Sequence, residues 1–327
     1  MNSKEMKRFD VIIPVARKDI GFVPRVVDFV TRCINDIDNI YIITSLRNVN
    51  ILEKKLCVFR CCHVIDENRM VDGLSFETVS YFLNKYAPHR IDRTGWYFQQ
   101  FLKLAFAKSS YSSQYYLSWD ADTLPLAPIE FFEENHILFN PKKEYNTNYF
   151  DTIEKLFGFG KVVDYSFISE GMMFSSEIVR EMLGEIDNCR ICGESWIEKI
   201  IAASDFSTSF PAFSEFETYG SYCHVKHKGL YIPRHLNTFR EANMICGKYI
   251  GEERLRLLSF DVDIVSFEKG HVPPFPYNII QKIDGFMETL DKNPAALISK
   301  IKKKFTKEEV DVNMEKMLYR LPPKANL

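Results

Sequence analysis

The sequence contains no long apolar run. No stretch of its 327 residues approaches the roughly 20 consecutive apolar residues of a transmembrane helix. Its first ten residues are rich in charge and lead straight into a short apolar segment, which differs from the pattern of a secretory signal. The segment CRIC at 189–192 has no second cysteine pair at zinc-ligand spacing, so reduced thiols are expected. We therefore expect a soluble, cytoplasmic protein.

An excess of charge is also missing. The chain has 42 lysines and arginines against 44 aspartates and glutamates, which gives a formal net charge of -2. A protein whose main partner is a nucleic acid usually carries a strong positive excess. We therefore expect no nucleic-acid partner, and any anionic ligand must be bound by local groups.

Short apolar segments alternate with segments of helical periodicity. The predicted strands are Asp10–Val15, Asn39–Ser45, Cys61–Asn68, Tyr115–Trp119 and Phe167–Phe174. A mostly buried helix is predicted at Tyr97–Lys108, and the stretch 131–159 is expected to be irregular. This alternation predicts an α/β fold with a Rossmann-like, doubly wound sheet, which binds ligands beyond the carboxyl ends of its strands.

Two aspartates follow the strand that ends at Trp119. Asp120 and Asp122 are alternate residues of an extended segment, so both carboxylates can meet one Mg²⁺ or Mn²⁺ that also binds a diphosphate. Aspartates also end strands by bonding to their own backbone, and Pro125 follows closely. These residues alone leave both interpretations open.

Four segments in a fixed order carry a resemblance to a known class. They are GWYFQQFLKL, WDADT, ISEGMMF and FSEFETYGSY, and the resemblance covers residues 9–240. Together they resemble the GT-A class of nucleotide-sugar glycosyltransferases and, more closely, a largely uncharacterised bacterial family associated with surface-polysaccharide synthesis. The resemblance implies a mixed GT-A sheet, an Mn²⁺ or Mg²⁺ ion on Asp122, and Asp120 near the ribose or the metal.

The resemblance also implies donor contacts at the turn after the first strand. In that class this turn borders the base and ribose, which implicates Pro14, Val15 and Arg17. Arg17 can equally be a solvated turn residue. Asp66 and Glu67, at the end of the third strand, either touch the base edge or form an ordinary turn.

The predicted helix carries a polar face. Gln99 and Lys103 are spaced i and i+4 and share that face, while Gln100 turns away. They either form a hydrogen-bond network in the core or contact the donor, together with Arg93. Lys103 is the strongest candidate, because a positive charge beside a pyrophosphate stabilises the departing nucleotide.

Further carboxylates follow in SEFETYG and ISEGMM. Glu215 and Glu217 have a strand-like spacing of two among aromatic residues, which should raise their pKa and suit a general base. Glu215 is the first choice for the base and Glu217 the second, although one of them could instead bind a sugar hydroxyl. Glu170 is a candidate for binding donor or acceptor hydroxyls. His224 is expected as a third metal ligand, although a lone histidine is more often structural.

Residues 1–245 are expected to form one catalytic domain, with a donor half at about 1–125 and an acceptor half at about 126–245. Residues 246–327 are expected to form a C-terminal helical extension. Within it, residues 294–307 combine an apolar helical face with five lysines. Such a helix either contacts an anionic membrane surface, at the inner face of the cell membrane, or docks on the catalytic domain.

The sequence thus predicts a hexosyltransferase-type enzyme that moves a sugar from a nucleotide-sugar donor, expected to be a UDP-sugar, to a glycan or lipid-linked glycan acceptor. The expected pathway is surface polysaccharide or lipopolysaccharide synthesis, with a weak preference for inversion. A nucleotidyltransferase acting on a sugar phosphate is one alternative, but the segment PVARKDIGFVPR after the first strand is no glycine-rich phosphate loop. A non-catalytic glycan-binding protein is the other.

Overall fold

A five-stranded mixed sheet forms the centre of the structure, a computed structural model that describes residues 7–208, 211–247, 250–268, 275–276 and 278–279. The strands are β1 (Phe9–Pro14), β2 (Ile37–Thr44), β3 (Cys62–Asp66), β4 (Tyr115–Trp119), β5 (Thr123–Pro125), β6 (Phe132–Glu133), β7 (His136–Phe139), β8 (Gly171–Ser175), β9 (Tyr231–Pro233), β10 (Thr238–Phe239) and β11 (Ile264–Ser266). In the central sheet the order is β3-β2-β1-β4-β8, and only β8 runs antiparallel to its neighbour. The predicted α/β class with a mixed sheet is confirmed.

The helices follow the alternation that the sequence predicts. Those of the described residues are α1 (Val23–Cys33), α2 (Leu46–Leu56), α3 (Phe76–Tyr86), α4 (Thr94–Ala105), α5 (Thr147–Phe157), α6 (Ser176–Asn188), α7 (Trp196–Ala203), α8 (Glu215–Lys226), α9 (Ala242–Ile245) and α10 (Glu252–Leu258), with 3-10 helices at Pro88–Arg93 and Phe106–Lys108. Helix α4 confirms the predicted buried helix, although it begins earlier and ends in a 3-10 turn. The stretch 131–159 is not irregular throughout, because it contains β6, β7 and α5.

Two segments differ from their predicted structure. The predicted strand Phe167–Phe174 begins only at Gly171, because the Phe167 N–H donates to the Glu217 carboxylate and not to a neighbouring strand. The segment SEFETYG, predicted to be strand-like, begins helix α8. Ser214 caps this helix by accepting a hydrogen bond from the backbone N–H of Glu217, three residues on.

The sheet order creates a crevice between β1 and β4. The chain adds β2 and β3 on one side of β1 and places β4 on the other side, so the strand order reverses between β1 and β4. Ligands of open α/β sheets bind at such a reversal, outside the carboxyl ends of the strands. Pro14 ends β1 and Asp120 follows β4, so the residues after these strands flank this crevice.

Two smaller sheets accompany the central one. They have the orders β10-β11-β5 and β6-β7-β9. Strand β5 follows the Asp120–Asp122 turn directly and pairs with β11 in antiparallel register. This pairing anchors the residues after the turn.

The chain divides into two compact units. The first consists of Met1–Arg240 and Ser259–Ser266, and the second of Glu241–Leu258 and Phe267–Leu327. This division differs from the predicted boundary at residue 245, because β11 returns to pair with β5 and β10 of the first unit. Within the second unit, the Asn243 side chain donates to the Glu268 carbonyl at 3.1 Å.

Two predictions from the sequence concern the membrane, namely the lack of a spanning helix and the basic helix at 294–307. Within the described ranges, no helix combines the length and the apolar character that crossing a membrane requires. The predicted basic helix at 294–307 lies outside the described residues.

Gly220 allows helix α8 to pack closely on the Phe167 ring. A Cβ at Gly220 would lie 2.1 Å from Phe167 Cγ, whereas one at Gly184 of α6 would meet nothing within 4 Å. We expect Gly220→Ala to lower the free energy of unfolding by about 1–3 kcal/mol through overpacking. The matched variant Gly184→Ala should be neutral or stabilising by about 0.5–1 kcal/mol. Urea unfolding of both variants tests this, and equal effects would contradict it.

Candidate functional site

The Asp120–Asp122 segment is a tight turn between β4 and β5. The Thr123 N–H donates to the Asp120 carbonyl at 3.2 Å, and Trp119 Nε1 donates to the Thr123 carbonyl at 3.0 Å. The backbone of this segment therefore forms a turn, while Asp120 Oδ1 accepts a hydrogen bond from the Lys103 ammonium. Both carboxylates are half-buried at the carboxyl end of β4.

Lys103 of α4 joins this turn to helix α8. Its ammonium lies 3.1 Å from Asp120 Oδ1 and 2.8 Å from Glu215 Oε1. It also lies 4.4 Å from the centre of the Phe216 ring, at cation-π distance. The side chain is 6% exposed, so a cation is held inside the protein by two carboxylates and an aromatic face.

The charge of Lys103 is maintained by its partners. Burial favours the neutral amine, but the carboxylates of Asp120 and Glu215 outweigh burial and raise the pKa of Lys103 above its usual value. Lys103 is therefore an ammonium at all physiological pH values, as its predicted role beside a pyrophosphate requires.

Gln100 positions Glu215, a role that was not predicted from the sequence. Its side-chain oxygen accepts the backbone N–H of Glu215 at 3.1 Å. Gln100 and Lys103 are three residues apart on α4 and both meet the first turn of α8. The polar residues of α4 thus form a network in the protein interior and also contribute a cation to the crevice.

Glu170 lies at the same end of the sheet. Gly171 pairs with Trp119 across β4 and β8, so Glu170 and Asp120 continue neighbouring strands. Glu170 is buried and binds Lys142 Nζ through Oε1 at 2.9 Å, while its Oε2 has no hydrogen-bond partner within the described chain. Gly171 is required there because a Cβ would lie 2.5 Å from the Trp119 ring.

A pocket of about 200 Å³ opens beyond the carboxyl ends of β1 and β3, and we call it the Glu67 pocket. Its lining includes the predicted residues Pro14, Val15 and Arg17 after β1, and Gln99 on α4. Lys103 lies one helical turn beyond Gln99 on the same face of α4. The structure therefore brings these predicted donor contacts together next to the Lys103 cluster.

Glu67, and not Asp66, lines this pocket. The Asp66 carboxylate accepts the Asn68 N–H at 3.2 Å and pairs with Arg69 at 3.5 Å, which is the turn role that the sequence left open. Burial raises the pKa of Glu67 from 4.5 to about 7, and the neighbouring carboxylates of Asp66 and Glu77 add to this. Of the two residues that the sequence offers at the end of β3, Asp66 thus has the turn role and Glu67 lines the pocket.

Two other predicted residues lie elsewhere. Arg93 is exposed before α4, 3.8 Å from Asp92, and does not line the Glu67 pocket. His224 is exposed on α8, nine residues after Glu215, which places it about 13 Å along the helix axis. The structure does not bring His224 to the aspartates, because this segment is a helix and not an extended loop.

Glu217 points away from Glu215, contrary to the prediction that their spacing places them on one side. On a helix, side chains two positions apart in the sequence point in directions that differ by about 200°. Glu217 Oε2 accepts the Ser166 hydroxyl at 2.6 Å and the Phe167 N–H at 3.1 Å. Its Oε1 is buried with no hydrogen-bond partner in the described part of the chain. Burial raises the pKa of Glu217, and the two hydrogen bonds partly oppose this.

The carboxylates at the crevice fit a hard divalent cation. No group of three or more histidine, cysteine, aspartate or glutamate side chains is placed to hold a metal within the described residues. Mg²⁺ and related ions, however, commonly bind one or two carboxylates and take their other ligands from substrate phosphates and water. Asp120 and Asp122 would supply the two carboxylates of such a site, and the metal would be shared with a diphosphate.

Comparisons with known proteins give similarity at the level of structure alone. No family model and no curated protein matches the chain. The structure is similar to mouse xyloside xylosyltransferase 1, with a TM-score of 0.44, 14% identity, and coverage of 82% of this chain and 99% of that chain. It is similar to the glycosyltransferase GlyE of Streptococcus pneumoniae, with a TM-score of 0.40, 9% identity, and coverage of 86% and 60%. It is also similar to the galactosyltransferase LgtC in complex with donor and acceptor sugar analogs, with a TM-score of 0.37, 10% identity, and coverage of 79% of this chain and 87% of that chain. At these scores, inferences about activity must rest on the site itself.

Removal of the Lys103 ammonium should destabilise the protein strongly. Lys103→Met leaves the buried Glu215 carboxylate without its cation, so we expect a loss of about 3–5 kcal/mol in the free energy of unfolding. The double variant Lys103→Met/Glu215→Gln should recover part of this loss. Lys226→Met, which breaks the exposed pair with Glu185, should cost less than about 1 kcal/mol. Denaturant unfolding measures all three, and equal losses in the two single variants would contradict the burial argument.

Glu67 should make stability depend on pH. In the folded protein it keeps its proton to about pH 7, whereas its usual pKa is 4.5, so the folded state binds more protons between these values. Stability should therefore fall as the pH rises from 4.5 to 7. Glu67→Gln should remove about 1–2 kcal/mol of this dependence, a value reduced for solvent screening. Melting curves at several pH values test this, with the exposed Glu53→Gln as control; parallel curves for both variants and wild type would contradict it.

Proposed function

We propose that this chain is a metal-dependent glycosyltransferase of the GT-A type. It transfers a sugar from a nucleoside diphosphate to a hydroxyl group of a glycan. One observation carries the proposal: the buried Lys103 cation and the Asp120–Asp122 carboxylates lie on one side of the β1/β4 crevice, and the Glu67 pocket lies on the other.

The two sides suit two parts of one ligand. The Glu67 pocket combines apolar residues such as Phe98 and Leu102 with polar groups such as Gln99, which suits a base and ribose. Lys103 places a positive charge where a diphosphate extending from that pocket reaches the end of β4. Asp120 and Asp122 would hold a divalent cation, which would supply positive charge to the departing diphosphate.

The charge balance at the end of β4 supports a role for the cation. Three carboxylates, on Asp120, Glu170 and Glu215, pair with the two ammonium groups of Lys103 and Lys142. These five groups together are net negative and would repel a free diphosphate. A divalent cation held by the aspartates would reduce that repulsion.

Glu217 is better placed than Glu215 to act as the base. The Glu215 carboxylate is already bound by the Lys103 ammonium, whereas Glu217 keeps an oxygen without a partner in the described chain and a pKa raised by burial. In the transfer, the acceptor oxygen forms a bond to the anomeric carbon. The bond from that carbon to the diphosphate breaks, its electron pair leaves with the diphosphate, and the hydroxyl proton passes to Glu217.

The finer parts of the proposal come from the sequence resemblance. The donor is a UDP-linked hexose, the acceptor is a growing bacterial surface polysaccharide or lipopolysaccharide, and the reaction inverts the anomeric centre. The enzyme works in the cytoplasm or at the inner face of the cell membrane, where lipid-linked acceptors are found. Experiments on ligand contacts are needed to identify the donor and acceptor sugars.

Titration calorimetry of UDP tests the donor side. We expect UDP to bind at least about tenfold more tightly with Mn²⁺ than without it, a difference of about 1.4 kcal/mol. Asp122→Asn should abolish the effect of Mn²⁺ because a carboxylate ligand is lost. The exposed Asp151→Asn on α5 should keep it.

Absence of Mn²⁺-dependent UDP binding in the wild type would contradict the proposal. Retention of the full Mn²⁺ effect in Asp122→Asn would contradict the assignment of the metal ligand. A screen of UDP-sugar hydrolysis, with release of UDP as the signal, then identifies the donor sugar. Release of pyrophosphate from a nucleoside triphosphate and a sugar phosphate would instead identify a nucleotidyltransferase.

A further inference from the structure

A second pocket, of about 350 Å³, lies at the start of helix α5 and is lined by Glu217, so we call it the Glu217 pocket. Its wall includes Tyr145, Asn146 and Tyr149 from the beginning of α5, and Ser166 from the segment before β8. All of these residues belong to the first compact unit. The pocket is separate from the Glu67 pocket, since the two share no lining residue.

Glu217 supplies an unsatisfied acceptor at this pocket. Its side chain is 1% exposed, and Oε2 is fully engaged by Ser166 and the Phe167 N–H. Oε1 is buried with no partner among the described residues. Buried carboxylate oxygens are rarely left without a hydrogen bond, because the lost hydration is not replaced. The arrangement points to a ligand that donates a hydrogen bond.

The lining indicates an uncharged, hydroxyl-bearing ligand. The lining includes the carboxylates of Glu144 and Glu217, and two cations accompany them. Arg240 pairs with Glu144, and the Lys161 ammonium lies 4.4 Å from the centre of the Phe150 ring. These charges balance, so the pocket has no excess of positive charge with which to bind a phosphate or carboxylate.

Asn146 is bonded to the Pro211 carbonyl and the Asn148 N–H, and the Asn148 amide donates to Thr208. Each amide keeps further donor and acceptor positions that can bond to hydroxyls. Tyr145 is 65% exposed and packs on Phe150 at 5.5 Å between ring centres, which offers a flat apolar face for the C–H groups of a sugar ring.

The pocket lies next to the Lys103 cluster. Glu217 and Glu215 share the first turn of α8, and Glu215 lies 2.8 Å from Lys103. Lys142 exchanges two backbone hydrogen bonds with Ser166 of the pocket, while its ammonium holds Glu170 beside the end of β4. Burial raises the pKa of Tyr149 to about 12, and the carboxylates of both Glu215 and Glu217 contribute to this. Tyr149 therefore lies close enough to the carboxylates of Glu215 and Glu217 to interact electrostatically with both.

We infer that the Glu217 pocket binds an uncharged sugar residue, with Glu217 Oε1 accepting a hydrogen bond from one of its hydroxyls. The inference rests on the proposed function in one respect: this sugar is then the acceptor that meets the donor at Lys103. It adds the chemical class of the acceptor end, which is a neutral hexose or N-acetylhexosamine and not a phosphorylated or acidic sugar.

The test measures two binding reactions separately on the full chain. Methyl β-D-glucopyranoside, methyl β-D-galactopyranoside and methyl N-acetyl-β-D-glucosaminide are titrated by saturation-transfer NMR, and UDP with Mn²⁺ is titrated by calorimetry. The variants are Glu217→Gln, which keeps an oxygen for Ser166, and Tyr145→Ala at the exposed rim. Tyr81→Ala on α3 is the matched control, because Tyr81 is also 65% exposed.

We expect at least one glycoside to bind the wild type and the Tyr81→Ala control equally. Its affinity should fall about fivefold or more in both Glu217→Gln and Tyr145→Ala, as for the loss of one hydrogen bond or ring contact. UDP affinity should stay unchanged in all variants, and melting curves verify that each one is folded.

Three results would overturn the inference. They are no glycoside binding by the wild type, equal glycoside binding by all variants, and a joint loss of UDP affinity in Glu217→Gln and Tyr145→Ala, which would assign the pocket to the donor. Failure of the proposed function has a different signature, since glycosides would then bind in a Glu217-dependent manner while UDP and Mn²⁺ do not bind at all.

Discussion

The buried ammonium of Lys103 is the interaction on which the rest of the site depends. Transfer of a cation into a protein interior is costly unless oppositely charged groups compensate for its lost hydration. Asp120 and Glu215 provide this compensation from the end of β4 and the start of α8. One side chain of α4 therefore fixes the distance between a strand end and a helix end that are almost one hundred residues apart in the chain. Gln100 reinforces the same contact through the backbone of Glu215.

Much of the fold follows from local sequence patterns. The buried strands β1, β2 and β4 and the helix α4 were predictable because each combines apolar residues with a clear boundary. Helix α8 was not, since it is buried from Glu215 to Cys223 and therefore lacks the amphipathic periodicity of a surface helix. Its available signal was the capping sequence of Ser214 followed three residues later by Glu217, which the alternating aromatics concealed.

The residues of the candidate site could be proposed from the sequence, but the contacts between them could not. Asp120, Lys103 and Glu215 could each be proposed from residue type and from the resemblance, yet their contact joins positions far apart in the chain, and no local pattern encodes it. The opposite directions of Glu215 and Glu217 depend on helix geometry, so the strand interpretation of α8 hid them. Tyr149 was missed because its position at the pocket depends on how α5 packs, which no local pattern shows.

The charges at the crevice also indicate an order of events. In the proposed reaction, a diphosphate would meet the carboxylates of Asp120 and Glu170 at the end of β4, and a cation bound there would reduce the repulsion between them. In the adjacent Glu217 pocket, Arg240 pairs with Glu144 and the Lys161 ammonium lies at the Phe150 ring, so the two carboxylates are balanced by two cations. In the proposed reaction, a cation held by the aspartates would supply positive charge to the diphosphate, while Glu217 would remain able to accept a hydroxyl proton. The two neighbouring sites would then serve different ligands, an anion with its metal at the aspartates and an uncharged sugar at Glu217.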